Sequence, residues 1–553
     1  MNFQSISTIA EAKPLIIAVA IYSTAFLTLS LVTIFLEKKK FAPFMQIRMD
    51  KLSIALKKII SSEFGFFENS NYMDYIRQGL NAFSSTNSGL EGIYHEVFSV
   101  GKSVVAFILL SIILGKVNSL IPIIGVVTII VTSLSQRASS KYHSELMPEY
   151  GEIDRKLGYA NDKAGDFSYG KDIRVFDLKD RFSRLVDDGI DRLDKLQKRL
   201  RKKKMITSFP TSLGFTFLSV GIVYVLGVNF QNDSISIANL VMILSIIVIY
   251  IAQIIEIGRV TFFVMEQSIY LGISFDIEDS KTDISGGLDI DIEMINPEII
   301  FDNVSFKYPN SDTKVLENLS LIINPGESVA LVGINGAGKT TLVNLITGLY
   351  QPTEGKIYVG EYDLSTLSQN TLNELIAVVL QEFEPLALSV KENVAATTGA
   401  INDQLVTSSL EKAGILPKIE SYDHGIDSMM LRVVEDEGVV LSGGENQKLS
   451  IARALYKEKA KILILDEPTS ALDAIAEEQI YQNFESMIAG KTGIFISHRL
   501  ASTRFCDKIL LLNDGKIEQI GSHAELLKED GHYKKMYETQ ASYYKGDKDG
   551  KNN

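Results

Sequence analysis

The sequence predicts two unlike halves: an α-helical transmembrane domain with five apparent spans and long cytoplasmic helical extensions, followed by an α/β domain. Three observations predict it. The first half of the 553 residues holds five apolar runs of about twenty residues, enough at 1.5 Å per residue to cross a ~30 Å hydrocarbon core. Two long polar segments with helical periodicity separate these runs. The second half shows short apolar strands alternating with helical patterns, and one of those strands ends in a glycine-rich turn that opens a helix.

The spans follow in order. The first reads about Pro14–Phe35, and Lys38, Lys39 and Lys40 come directly after it. The positive-inside rule makes that end cytoplasmic, which places the N-terminus outside. Two more spans, about Val97–Leu114 and Val117–Leu134, form a tight hairpin turning at Gly115-Lys116. The last two are about Met205–Leu226 and Ile235–Ile257, joined outside by Asn229–Ser234. The polar segment before the fourth span closes on Lys198, Arg199, Arg201, Lys202, Lys203 and Lys204, again positive inside. Each polar segment is long enough for two antiparallel helices of about thirty residues, roughly 45 Å long. Their tips, Phe66–Tyr72 and Gly170–Phe176, are candidates for contact with a soluble domain, or for ordinary bundle packing. Glu256, with Gln253 and Arg259, is read as a paired or solvated acid near the interface, and Pro210 as a helix kink.

Composition excludes several classes. A net charge of −13 argues against a nucleic-acid partner. The single cysteine, Cys506, permits no intrachain disulfide and no cysteine metal site. Trp is absent, so an aromatic belt must use Tyr and Phe. No cleavable secretory signal is expected, because the first apolar run is too long for one. The expected domains are a membrane domain at 1–275, an acidic linker at 276–296, an α/β domain at 297–545 and a polar tail at 546–553.

The glycine turn is Gly333-Ile334-Asn335-Gly336-Ala337-Gly338-Lys339-Thr340-Thr341, spaced as a phosphate-binding P-loop. Its backbone N–H groups can converge on one anion, Lys339 adds a cation for the β- and γ-phosphates, and the Thr340 hydroxyl suits Mg²⁺. Downstream, the apolar strand Ile462–Leu465 ends in Asp466-Glu467. Asp466 can hold the Mg²⁺ water shell, and Glu467 can orient or deprotonate the attacking water. Between them, Leu441-Ser442-Gly443-Gly444-Glu445 opens another helix and offers a second anion site. Two such sites beside a single P-loop suggest that one serves a partner's nucleotide. Ile299–Phe301 and Val304–Tyr308 are read as paired strands.

These motifs resemble the ATP-binding-cassette (ABC) proteins. Leu441–Glu445 is similar to the family signature, with Glu445 in place of the commoner Gln. Gln381 matches the Q-loop, Ser470 and Asp473 the D-loop, and His498 the switch histidine. The resemblance covers about residues 297–540. It implies that Tyr308 stacks on adenine, that Gly333–Thr341 bind the ATP phosphates, and that Thr340 and Gln381 join Asp466 at Mg²⁺. It further implies that Ser442, Gly443, Gly444 and Glu445 complete the site in trans, with Glu467 as catalytic base and His498 on the γ-phosphate. Glu435–Gly438 lies where exporters carry an acidic-glycine loop, or is a solvated turn.

The order of domains resembles exporter-type half-transporters, nearest in wording to bacterial peptide, bacteriocin or drug exporters. This implies an ATP-driven exporter in the plasma membrane, its cassette cytoplasmic, acting as a homodimer or heterodimer on a peptide or amphipathic compound. The alternatives are an ATP-gated regulator or channel and, against the five apolar runs, a soluble ABC ATPase. Such half-transporters have six spans with the N-terminus inside. The five expected here leave the family's first span without a counterpart, and no leader-cleaving peptidase domain is expected.

Overall fold

The computed structural model describes residues 9–231, 237–280, 286–469, 487–488, 490–498 and 500–545. The chain forms two compact units: Met1–Ile60 with Ser70–Lys281, and Ser61–Asn69 with Thr282–Asn553.

The first unit is helical: α1 (Ile9–Ile60), α2 (Ser70–Leu80), α3 (Gly89–Val117), α4 (Leu120–Gly165), α5 (Phe167–Val175), α6 (Lys179–Gln231) and α7 (Ile237–Asp279). Among the described residues, α1, α3, α4, α6 and α7 are long and apolar enough to cross a membrane. Helix α6 alone has 53 residues, about 80 Å of rise, so apolar span and polar extension are one uninterrupted helix. Pro210 lies inside it, and Pro148 inside α4.

Two expectations are corrected here. The turn between the second and third apolar runs is at Asn118-Ser119. Gly115 and Lys116 lie inside α3, whose last carbonyls are met by the Asn118 N–H on Leu114 O at 3.0 Å. The first polar segment is not a pair of thirty-residue helices, because its return arm breaks between α2 and α3. Gly89 requires the break: its φ is +60°, and a Cβ there would fall 2.0 Å from the Ala82 carbonyl oxygen. Its N–H is instead met by Gln267 Oε1 at 2.7 Å. A buried ion pair, Arg48 Nε to Glu91 Oε2 at 2.6 Å, braces the same point, and Arg48 Nη1 donates to the Phe83 carbonyl. The fifth run was expected to begin at Ile235, which lies outside the described residues, as do parts of the Asn229–Ser234 loop and the 546–553 tail.

Inside the unit, Tyr250 is fully buried between helices. Its ring stacks on Phe107, its hydroxyl accepts from Ser111 Oγ at 3.2 Å, and Gly125 leaves the space it occupies. Val19, Tyr22, Phe26 and Phe217 are exposed, as lipid-facing side chains would be. Lys40, Lys203 and Lys204 lie over Phe98, Tyr142 and Phe262, so phenylalanine and tyrosine serve where tryptophan is absent. Glu256 is paired: Arg259 donates to it and to Glu96.

Among the described residues the second unit has ten strands: β1 (Ile299–Phe306), β2 (Leu316–Ile323), β3 (Ser328–Gly333), β4 (Glu354–Val359), β5 (Tyr362–Asp363), β6 (Ile376–Val379), β7 (Ile462–Asp466), β8 (Thr492–Ile496), β9 (Lys508–Asn513) and β10 (Lys516–Gly521). The helices named below are α8 (Lys339–Ile346), α9 (Gln369–Leu375), α10 (Val390–Ala395), α11 (Asp403–Lys412), α12 (Leu416–Glu420) and α13 (Gly443–Tyr456). An antiparallel sheet runs β2-β1-β4-β5, and a larger sheet runs β10-β9-β3-β8-β7-β6. In the larger sheet β3, β6, β7, β8 and β9 are parallel to their neighbours in that series. Strands β3, β7 and β8 are buried throughout, which explains their unbroken apolar sequences.

Ile299–Phe301 and Val304–Phe306 do not pair with each other. They are one strand, β1, with a register shift near Asn303, whose φ is +48°. The partners are β2 and β4. Within the stretch expected as linker, α7 continues to Asp279, while Ile292 and Ile295 are buried in the second unit's core.

Candidate nucleotide site

The site gathers at the C-terminal edge of the parallel strands, where open α/β sheets bind ligands. Strand β3 runs into the glycine turn and β7 ends on Asp466. Gln381 follows β6 by two residues, and His498 follows β8 by two. Register fixes their level, because Leu331, Ile496 and Asp466 lie in one row across three strands.

The glycine turn is steric as well as flexible. Gly333 has φ +156°, and a Cβ there would sit 2.3 Å from the Leu512 carbonyl oxygen. Gly338 has φ +103°, and its Cβ would sit 2.7 Å from Leu316 Cδ2. Ile334, Asn335 and Gly336 are exposed, Ala337 is buried, and α8 begins at Lys339. Lys339 is buried and folds back on its own turn: Nζ donates to Gly333 O at 2.9 Å and to Ile334 O at 3.0 Å. Burial pushes its ammonium pKa down, against the opposing pull of Glu467 and Asp466. Thr340 is exposed. Thr341 is buried, with Oγ1 2.9 Å from the Tyr308 hydroxyl.

Glu467 is the centre of the polar cluster. Its Oε1 lies 2.6 Å from His498 Nε2, and its Oε2 accepts from Gln381 Nε2 at 3.3 Å. Burial first, then Lys339, lowers the His498 pKa, outweighing the raising effect of Glu467. The lowered pKa favours the neutral imidazole, whose Nε2–H is placed to donate to the carboxylate. Asp466 is 2% exposed. Burial, helped by Glu467 and opposed by Lys339, raises its pKa to about 6.

The Glu467 backbone is unusual. Its φ is +48°, a left-handed conformation costing a non-glycine residue about 1–3 kcal/mol. Two hydrogen bonds hold it there: its N–H donates to Ile496 O at 3.0 Å, and its carbonyl accepts from Gln447 Nε2 at 2.8 Å. In the sequence, only its place just after the Ser442–Glu445 turn marks Gln447.

Ser442 is the N-cap of α13. Its hydroxyl accepts from the Glu445 N–H, and Glu445 Oε2 accepts from the Ser442 N–H at 2.8 Å, a closed capping box. These bonds hold the Glu445 pKa below the usual carboxylate range, and Lys418 lies 3.7 Å from its other oxygen. Glu445 thus faces its own helix start. Ser442 and Gly443 are exposed.

Tyr308 is half-buried. Its ring meets Phe306 and Tyr350 edge-on, with centroids 5.0 and 5.4 Å away, and it lines a cavity of about 750 Å³ with Lys307, Pro309 and Phe66. Tyr350 in turn meets Phe64 edge-on at 5.7 Å, so residues 61–69 of the second unit adjoin the Tyr308 cavity. Ser470 and Asp473 lie outside the described residues.

Residues 316–470 match the family model described as ABC transporter. The second unit is an ABC cassette. It is a nucleotide-binding domain, and the chain joins it to helices that mark a multi-pass membrane protein. Over 381 residues the chain is 30% identical to the subtilin transport ATP-binding protein SpaT of Bacillus subtilis, covering 68% of this chain and 61% of that protein. Over 246 residues it is 37% identical to the ATP-dependent lipid A-core flippase of Chromohalobacter salexigens, covering 44% of this chain and 42% of the flippase. Over 237 residues it is 37% identical to the nisin transport ATP-binding protein NisT of Lactococcus lactis subsp. lactis, covering 42% of this chain and 39% of NisT. The chain thus spans less than two thirds of the length of these relatives. A solved structure of a bacterial Atm1-family ABC exporter with ATP bound superposes with a TM-score of 0.79 at 22% identity, over 98% of this chain and 92% of that one. At that identity the likeness is one of fold.

Proposed function

We propose that this chain is one half of an ATP-driven exporter of the plasma membrane, with its cassette cytoplasmic, and that two halves share two ATP sites. The observation that carries the proposal is Glu467, held between His498 and Gln381 at the strand edge that bears the P-loop, in a chain with five membrane-length helices among its described residues. Ser442 and Gly443 are exposed at a helix N-terminus, which suits capture of a γ-phosphate bound by another chain. The names of the relatives, a subtilin and a nisin transport protein and a lipid A-core flippase, favour a peptide or other amphipathic cargo.

In this reading the turn N–H groups and α8 bind the ATP phosphates, and Lys339 exchanges its two backbone carbonyls for phosphate oxygens. Thr340, Gln381 and Asp466 form an all-oxygen donor set that fits Mg²⁺, and the ion would neutralise phosphate charge when bound with ATP. The Glu467 carboxylate leaves Gln381 to orient the attacking water and take its proton. Neutral His498 then has its N–H free for the γ-phosphate. Ser470 and Asp473 are proposed to lie at the join between cassettes. Closing the cassettes around ATP would turn the helical cavity outward, and hydrolysis would reset it.

The test is turnover and transport in proteoliposomes. Glu467→Gln keeps ATP binding and loses roughly 10²–10⁴-fold in hydrolysis. Wild-type vesicles accumulate an amphipathic peptide only with ATP. Hydrolysis without accumulation of any cargo would favour an ATP-gated regulator, and unchanged turnover in the variant would remove Glu467 from its role.

A further inference from the structure

Resting on that reading, we infer that Gln447 is a positioning residue that ties the signature helix of each chain to the general base of the same chain. It would thereby link the two ATP sites. In the proposed dimer, Ser442–Gly444 cap a nucleotide bound by the partner, whereas Glu467 serves the nucleotide of its own P-loop. These groups belong to different sites, and Gln447 joins them directly.

The geometry is specific. Gln447 lies on the first turns of α13, five residues after its cap Ser442, and is only 6% exposed. Its Nε2 donates at 2.8 Å to the carbonyl of Glu467, not to its carboxylate. That carbonyl belongs to the residue at φ +48°, a conformation that persists only where the surroundings over-determine it. Among the described residues, the other hydrogen bond on the Glu467 backbone is its N–H bond to Ile496 O, from β8. The base is thus hung between the strand that leads to His498 and the helix that begins at the signature. The Ser442–Glu445 capping box makes that helix start rigid, so a displacement of Ser442 on meeting γ-phosphate is carried along α13 to Gln447. Glu467 would then be drawn into line when the other site fills.

The test uses the full-length protein in detergent or nanodiscs with ATP. Gln447→Met keeps the side-chain length and removes the amide. It should lower kcat roughly tenfold to a hundredfold, with KM for ATP and melting temperature little changed. Combined with Glu467→Gln, it should add no further loss, since it acts through that residue. In mixed dimers, both changes on one chain should leave one site intact, while the same changes on opposite chains should impair both. An unchanged kcat, or losses that add in the double variant, would overturn the inference. If Gln447→Met does not fold, Gln447→Glu, which keeps the shape but offers no donor at neutral pH, enters the same cycle. Absence of ATPase activity in the wild type would instead defeat the proposed function itself.

Discussion

Two glycine turns open helices in the same cassette, and they are built differently. The turn at Gly333–Thr341 closes on itself. Gly333 and Gly338 take positive φ where a Cβ would strike Leu512 or Leu316, and its lysine is buried against the turn's own carbonyls. The turn at Ser442–Gly444 stands open. Neither Gly443 nor Gly444 has positive φ, Ser442 and Gly443 are exposed, and the order comes from a capping box rather than from burial. The first is a cradle formed before its ligand arrives. The second is a stiff, open helix terminus, which on the proposed reading meets a nucleotide held by another chain. The difference teaches that two similar glycine turns can be ordered in different ways, one by steric closure and one by a capping box, and the proposed function makes them a primary and a complementing site.

Substitutions sharpen this contrast. The largest effect is expected at Lys339. Lys339→Ala removes a charged donor worth about 1.5–3 kcal/mol, so ATP affinity should fall roughly 10–150-fold by nucleotide titration. If affinity holds, the cradle does not depend on its cation.

A smaller effect comes with pH. The folded-state pKa of Asp466, about 6, lies above the ordinary carboxylate value. Between pH 6 and 4 the folded protein therefore takes up a proton that the unfolded chain does not. This group's contribution to nucleotide-free stability rises as pH falls through that window. Metal-dependent nucleotide affinity moves the opposite way, dropping as Asp466 protonates. Calorimetric melting and Mg-ATP titration at pH 7 and pH 5 check both signs, and Asp466→Asn should flatten both trends.

The smallest effect is expected at Glu445. Glu445→Gln keeps a capping side chain but loses the charge that favours a helix N-terminus and the contact with Lys418. The cost should be about 0.3–1 kcal/mol in stability, with turnover little changed. A large loss of turnover would mean that Glu445 itself meets nucleotide.

Much of the cassette was legible in the sequence because its chemistry is local. Gly333–Thr341 and Asp466-Glu467 each need only a strand end and a few following residues. The hydrophobic runs marked the long helices for a similar reason. What could not be read depends on distant chain. The break at Gly89 reflects Ala82 and Gln267, and the joining of Ile299–Phe301 with Val304–Phe306 depends on β2 and β4 pairing along both edges. The Gln447 contact spans twenty residues of sequence and two elements. Tyr308, expected as a platform for adenine, has its hydroxyl on Thr341 and its ring among Phe306 and Tyr350, none of which its own neighbours announce.

The central claim is that the P-loop is half of a site completed by the signature of another chain. It is tested most directly by mixing two inactive variants, Lys339→Ala and Gly443→Asp, and measuring ATP hydrolysis. If sites form in trans, each mixed dimer pairs the intact P-loop of one chain with the intact signature of the other. An equal, freely exchanging mixture should then exceed either variant alone, to at most about a quarter of wild-type activity, one site in half of the two-fold dimers, and to less where the link through Gln447 slows that site. No recovery in dimers shown to contain both variants would contradict the account.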